Sequence, residues 1–340
     1  MDTAFPLRPD RAQARRLRLQ ARRAEARLRV GVGVPRGGVL AALTLLGGAT
    51  ALGGVLLSLG GDVWAGAEPS ALRAGRRLNR AAGALAGSVL FDSALEHYAG
   101  AFENKAMYTP LVVSTLSLIA SLHGHADRKT TNHPFRDAIY SATALTGIVG
   151  TGFHIYNVGK RPGGFCFQNL FYAAPLGAPA ALVLSGLMGF LGERARDNAP
   201  GSLPTIFGLT AGRLVAAVTG LGLVGTAAEA GLLHLRGAYH NPAMLLPVTI
   251  PPIAGLMLAR TALKQSERRP VTRWWMRMTA LLGLAGAGFH SIGVARNMGG
   301  WRNWTQNILA GPPIPAPPAF TGLALAGLAA LGLQQDHPDD

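Results

Sequence analysis

Two histidines in this chain stand in the same frame. Residues 97 to 110 read HYAGAFENKAMYTP and residues 234 to 247 read HLRGAYHNPAMLLP, sharing the spacing H-x2-G-A-[FY]-x-N-x-A-M-x2-P. A second pair, His154 and His290, closes the matching runs GIVGTGFH and GLAGAGFH. Gly163-Gly164 and Gly299-Gly300 follow, then Gln168-Asn169 and Gln306-Asn307, then Ala178-Pro179 and Ala316-Pro317. Asp92 and Glu229 each stand five positions before the first histidine of their copy. A chain that matches itself in this way is built from two copies of one unit, and such a repeat fixes the architecture before any element is assigned. The polar residues that both copies keep nominate the site.

Histidines on different helices at one depth, with small residues beside them, suit a b-type haem. Two neutral imidazoles serve as axial ligands, and glycines leave room for the porphyrin edge. His97, His154, His234 and His290 are the candidate ligands, and Gly150, Gly152, Gly286 and Gly288 supply the room. A copper site is the second possibility, with Met107 and Met244 joining the histidines, because imidazole and thioether both suit copper. Either cofactor makes the chain a membrane redox subunit that passes electrons between quinone and a peripheral periplasmic partner. Asp92 and Glu229 lie about 140° around a helix from their own histidines, so they serve a neighbouring helix instead. A carboxylate inside a span is a candidate proton relay, a quinol-binding group or a hydrogen-bond acceptor for His154 or His290. Asn104, Asn241, Gln168, Asn169, Gln306 and Asn307 are expected to cap helices and hold loops, with the paired glycines supplying positive φ.

Three readings compete with the redox one. Each histidine can be a hydrogen-bonded side chain within a bundle, and each glycine a site of close helix packing. The two repeats can form a transporter or channel, although transporter sites lie near the bilayer midplane and these polar residues gather at one face. The chain can also be a structural membrane subunit. The sequence has no P-loop, dinucleotide fingerprint, HExxH or Gly-x-Ser-x-Gly motif, so no reaction type is assigned. A single cysteine, Cys166, excludes an internal disulfide and any cysteine-based zinc or iron–sulfur site.

These residues must be positioned by membrane helices. The 340 residues are 49% hydrophobic and only 14% charged, against about 25% charged in an ordinary soluble domain. An all-α, polytopic membrane bundle follows, in contact with the lipid bilayer. The net charge of +15 sits at the N-terminus and between apolar runs, without the aromatic interleaving of a nucleic-acid binder. Residues 1–36 form a basic arm with ten arginines, 37–61 an apolar helix, 73–195 the first membrane repeat and 210–334 the second.

Apolar runs at about 81–98, 107–122, 137–157 and 170–191, then 213–234, 244–263, 274–294 and 316–333, give four spans per repeat. An even number sends both repeats into the membrane from one side, related by a pseudo-two-fold axis along the membrane normal. Lysine and arginine gather in the loops at the end where each repeat begins. The positive-inside rule makes that end cytoplasmic and puts the histidines at the outer face of a bacterial inner membrane. A cytoplasmic N-terminus then requires the 37–61 run to turn back, which its Gly47-Gly48 and Gly53-Gly54 pairs permit.

Overall fold

The computed structural model describes residues 69–172, 175–197, 204–263 and 269–335. Contacts divide the chain into Met1–Ala42 and Leu43–Asp340, and every statement below concerns the second unit. The expected basic arm (1–36) and the apolar helix (37–61) lie outside the described residues.

The first repeat contains α1 (Ser70–Ala99), a 3-10 turn (Lys105–Tyr108), α2 (Thr109–Ala126), α3 (Pro134–Gly159), the short α4 (Phe167–Tyr172) and α5 (Gly177–Arg196). The second runs through α6 (Ala211–Arg236), a 3-10 turn (Pro242–Leu245), α7 (Leu246–Leu263), α8 (Pro270–Arg296), a 3-10 turn at Gly300–Asn303, the short α9 (Trp304–Ala310) and α10 (Pro318–Gln335). The α-helices follow one order in both halves, and the second half adds a 3-10 turn before its short helix. Between the repeats a two-residue hairpin pairs Thr205 with Thr210 and Ile206 with Leu209. Positive φ at Phe207 and Gly208 makes its turn.

The chain is a helical bundle, and among the described residues four helical segments, Lys105–Ala126, Ala211–Arg236, Pro242–Leu263 and Pro270–Arg296, are long and apolar enough to cross a membrane. Within the two repeats the sequence led us to expect eight such spans, besides the 37–61 run that lies outside the described residues. In α1 the expected apolar stretch is interrupted by Asp92, Glu96 and His97, and the helix starts at Ser70 instead of near residue 81. Its first turns therefore carry Arg73, Arg76, Arg77 and Arg80, good helix formers that the sequence pattern had assigned to a loop. α10 is apolar but short. It is the most enclosed helix: Leu323, Ala324, Ala326, Ala329 and Ala330 are all shielded from solvent.

Packing is reciprocal between the halves. Within each, the first helix packs on the second and on the last long helix, and the third packs on the second and on the last. Across them, α10 packs on α1 while α5 packs on α6, and the short α9 touches α1 while α4 touches α6. Close approaches recur at matching positions. A Cβ on Gly147 of α3 would stand 2.5 Å from the Val183 amide of α5, and one on Gly283 of α8 would stand 2.8 Å from the Thr321 amide of α10. Backbones that approach this closely depend on glycine, the usual device of helix association in lipid.

Candidate functional site

The residues of the duplicated motif together build one loop. In the first copy the Gly100 amide donates to Glu96 O and the Phe102 amide to His97 O, closing α1. Ala101 (φ 58°) and Phe102 (φ 47°) are left-handed, as are Ala238 (φ 52°) and Tyr239 (φ 46°) in the second copy. Such backbone is uncommon for non-glycine residues and persists only where the surroundings over-determine it. Asn104 and Asn241 then cap the 3-10 turns, their Oδ1 atoms accepting from the Ala106 and Ala243 amides at 2.9 and 3.0 Å. The motif's first glycine is needed because the methionine methyl lies against it. A Cβ there would be 3.2 Å from Met107 Cε, or 3.0 Å from Met244 Cε.

The loop fixes the imidazole. His97 Nδ1 lies 2.6 Å from Met107 O, and His234 Nδ1 lies 2.9 Å from Met244 O. The motif aromatic stands edge-on to each ring: Phe102 to His97 and Tyr239 to His234, both with centroids 6.2 Å apart. In each copy the methionine thus meets its histidine through its main chain, while its methyl packs on glycine.

The other two histidines are held in the same manner. His154 Nδ1 lies 2.5 Å from Pro175 O, and His290 Nδ1 lies 2.6 Å from Pro313 O. A carbonyl can only accept, so all four imidazoles present Nδ1–H to the main chain, which leaves Nε2 as the nitrogen with a lone pair. This corrects one expectation. The acceptors for His154 and His290 are proline carbonyls, not Asp92 and Glu229, because the segments leading into α5 and α10 already lie beneath those rings. The same segments are anchored by Asn169 and Asn307. Asn169 donates to Pro162 O and Gly164 O at 3.0 and 2.7 Å, and Asn307 to Met298 O and Gly300 O at 3.2 and 2.9 Å. The turns they hold need Gly163 (φ 90°), Gly164 (φ 58°), Gly299 (φ 82°) and Gly300 (φ 53°). Gln168 and Gln306 are exposed.

Pairing occurs within each repeat. The His234 and His290 rings are 6.4 Å apart at 67°, and His97 and His154 lie within electrostatic reach of each other. The glycines divide. Gly150 and Gly286, expected to leave room for a cofactor, are occupied by packing: their Cβ positions would fall 3.3 Å from Pro179 Cβ and 2.7 Å from Pro317 Cβ. Gly152 and Gly288, one residue pair further on, face open space. Gly152 lines an apolar groove of about 360 Å³ with Val149, Phe153 and Tyr156.

Asp92 and Glu229 lie near each other across the repeats. Asp92 lies within electrostatic reach of Glu229 and of Glu96. Glu229 lies along the start of α5, where a Cβ on Gly177 would stand 2.8 Å from its Cγ. Among the described residues, no group of three or more His, Cys, Asp or Glu side chains is arranged to hold a metal ion.

A charged cluster at the opposite end of repeat 1 escaped sequence reasoning. Arg136 and Glu193 are fully buried, 2.8 Å apart, and Arg136 also meets Asp127 at 2.9 Å. Arg196, equally buried, lies 3.3 Å from Glu193 and donates to Gly124 O at 2.6 Å. Asn79 donates to Glu193 at 3.1 Å and accepts from the Tyr140 hydroxyl at 2.5 Å. Arg194 pairs with Asp137 at the edge. In sequence the arginines look like loop residues of a positive-inside pattern, and what sets Arg136, Glu193 and Arg196 apart is that the second copy has the uncharged Thr272, Leu331 and Gln334 at their positions. No family model, curated protein or solved structure matches the chain.

Proposed function

We propose that each repeat holds one cofactor between its two imidazoles, a b-type haem with His97 and His154 as ligands in repeat 1 and His234 and His290 in repeat 2. The carrying observation is the His234–His290 separation of 6.4 Å together with the fixed Nδ1–H donors. Two axial imidazoles bound about 2 Å from one iron place their ring centres about 6 Å apart. Metal-binding histidines characteristically donate their other ring N–H to a carbonyl or carboxylate, which fixes ring orientation and tautomer. Gly152 and Gly288 do not supply the room expected for the porphyrin, because each stands two residues, about 200° of helix, before its histidine and opens onto the opposite face. Bound haem would supply one-electron chemistry, and exchange with quinone and a peripheral partner is the function that such a site at one membrane face serves.

The arrangement in the membrane belongs to the same proposal. The reciprocal packing supports two parallel repeats about a pseudo-two-fold axis along the membrane normal. The basic loops at the opposite end support an outer position for the histidines and a multi-pass location in the bacterial inner membrane. Cysteine labelling of the 98–106 and 235–243 loops from outside the cell tests the sidedness. Labelling from the cytoplasmic side alone overturns it.

The purified protein is expected to show a Soret band and close to two haems per chain. His154→Ala and His290→Ala are each expected to remove one of them while the chain remains monodisperse. Copper without a Soret band replaces haem by copper. A colourless, metal-free wild type refutes the redox reading and leaves the transport or structural one.

A further inference from the structure

One face of α3 points away from its histidine. Val149, Gly152, Phe153 and Tyr156 recur at i, i+3, i+4 and i+7, so they share one side of the helix. Together they line the apolar groove described above, and Val149, Phe153 and Tyr156 are each more than half exposed. The counterpart helix, α8, is long and apolar enough to cross a membrane. An exposed apolar face on such a helix meets the hydrocarbon of the bilayer.

Gly152 opens the groove. A Cβ there would meet nothing within 4 Å, and its φ is not left-handed, so neither packing nor backbone conformation calls for glycine. In a helix interior glycine costs about 1 kcal/mol relative to alanine. Repeat 2 keeps it all the same, as the equally open Gly288, with Phe289 exposed beside it. Their neighbours have drifted: Ile148, Val149 and Tyr156 correspond to Leu284, Ala285 and Ile292. A notch kept on a face that otherwise changes is kept for what fills it.

The groove ends at a cation. Lys160 follows Tyr156 by one turn, is exposed, and holds its Nζ 5.4 Å from the centroid of the Tyr156 ring. Arg161 stands next to it, donating to Tyr172 O at 3.3 Å. Among the described residues neither is in an ion pair. Arg296 occupies the position of Lys160 in repeat 2. From Gly152 to Lys160 the helix rises about 12 Å, so an apolar channel and an unbalanced positive charge lie along one line. Hydrocarbon at one end and an anion at the other is the complement of that surface.

We propose that this face of repeat 1 binds an anionic phospholipid of the surrounding membrane, with one acyl chain over Gly152 against Val149 and Phe153 and the phosphate at Lys160. Repeat 2 carries the same plan with the shorter side chains of Ala285 and Ile292 as walls, and holds the lipid less tightly. The site rests on the membrane-spanning reading and not on haem, so a colourless protein that selects anionic lipid retains it.

The test uses the full chain purified in detergent and titrated with phosphatidylglycerol or with phosphatidylcholine of the same chains, bound lipids being counted by native mass spectrometry. Wild type is expected to bind the first phosphatidylglycerol about fivefold more tightly than the first phosphatidylcholine, the effect of one basic residue at the membrane surface. Lys160→Gln is expected to remove that preference and Lys160→Arg to keep it. Gly152→Leu extends into open space, so the chain still folds. It is expected to weaken the first step about fivefold for both lipids, the loss of about ten van der Waals contacts. Equal affinity of wild type for the two lipids overturns the proposal, as does a Lys160→Gln variant that keeps the preference or a Gly152→Leu variant that binds like wild type. A lipid-free dimer that Gly152→Leu turns into a monomer assigns the groove to a second copy of the chain and overturns it too.

Discussion

The two repeats agree at one end and part company at the other. At the histidine end they match down to backbone dihedrals: left-handed Ala101-Phe102 and Ala238-Tyr239, paired glycine turns, asparagine caps, and four Nδ1 atoms on four carbonyls. At the far end, one repeat buries two arginines, a glutamate, a tyrosine and an asparagine where the other has threonine, glutamine, leucine, methionine and alanine. Both solutions fill the same space between the same helices. A buried ion cluster is therefore not what this bundle requires to fold, in line with the near equivalence of ion pairs and hydrophobic isosteres in cores. The matched loops answer to a site, and the unmatched cores do not.

The largest expected effect comes from half-breaking the cluster. Glu193→Leu leaves Arg136 and Arg196 buried with only Asp127 to share between them and is expected to cost about 3–5 kcal/mol in detergent unfolding. Grafting the repeat 2 residues wholesale, as Asn79→Ala, Arg136→Thr, Tyr140→Met, Glu193→Leu and Arg196→Gln together, is expected to recover most of that loss. A graft less stable than the single variant would show that the two cores are not interchangeable.

Next come the helix contacts, which sharpen the likeness. Gly147→Val and Gly283→Val push a side chain into the facing backbone and are each expected to destabilise by about 1–3 kcal/mol. Gly152→Ala and Gly288→Ala meet open space and are expected to stabilise by about 0.4–1 kcal/mol. Unequal values within either pair, measured by thermal melting, would break the equivalence of the repeats. Asn169→Ala and Asn307→Ala each remove the cap on a glycine turn, with an expected loss of about 1 kcal/mol.

The smallest effect is confined to repeat 1. Burial works to raise the Asp127 carboxyl, but the Lys129 amide and the Arg136 guanidinium outweigh it and hold it below 3.8. A depressed carboxylate stabilises fully above the ordinary carboxylate pKa, and its contribution is lost as pH falls through the folded value. Wild type is therefore expected to lose stability between pH 5 and 3, and Asp127→Asn to lose less over the same interval. Equal losses would remove Asp127 from the cluster's account. At the matching position the second copy carries Lys264.

Much of this was legible before any coordinates. The helical bundle followed from composition, and the spacing of His97, Asn104 and Met107 against His234, Asn241 and Met244 located the loops. The roles within the loop were harder to read. A sequence shows that a methionine recurs but not that its carbonyl, instead of its sulfur, meets the imidazole. Gly150 and Gly152 look alike in sequence, yet one lies against Pro179 and the other faces open space, a difference of helical phase that depends on where α5 packs. Arg136 and Arg196 were read one at a time as topology signals and Asp127 and Glu193 were not singled out, because their mutual contact depends on three helices converging.

The enclosed α10 has a consequence for biogenesis. It packs on α1, α6 and α8, so neither repeat has a complete interior until a helix synthesised after all of them has inserted. Insertion of α10 is then the event that commits the protein to its final form, and a ribosome stalled before residue 318 would leave both halves open to the cell's membrane quality-control proteases.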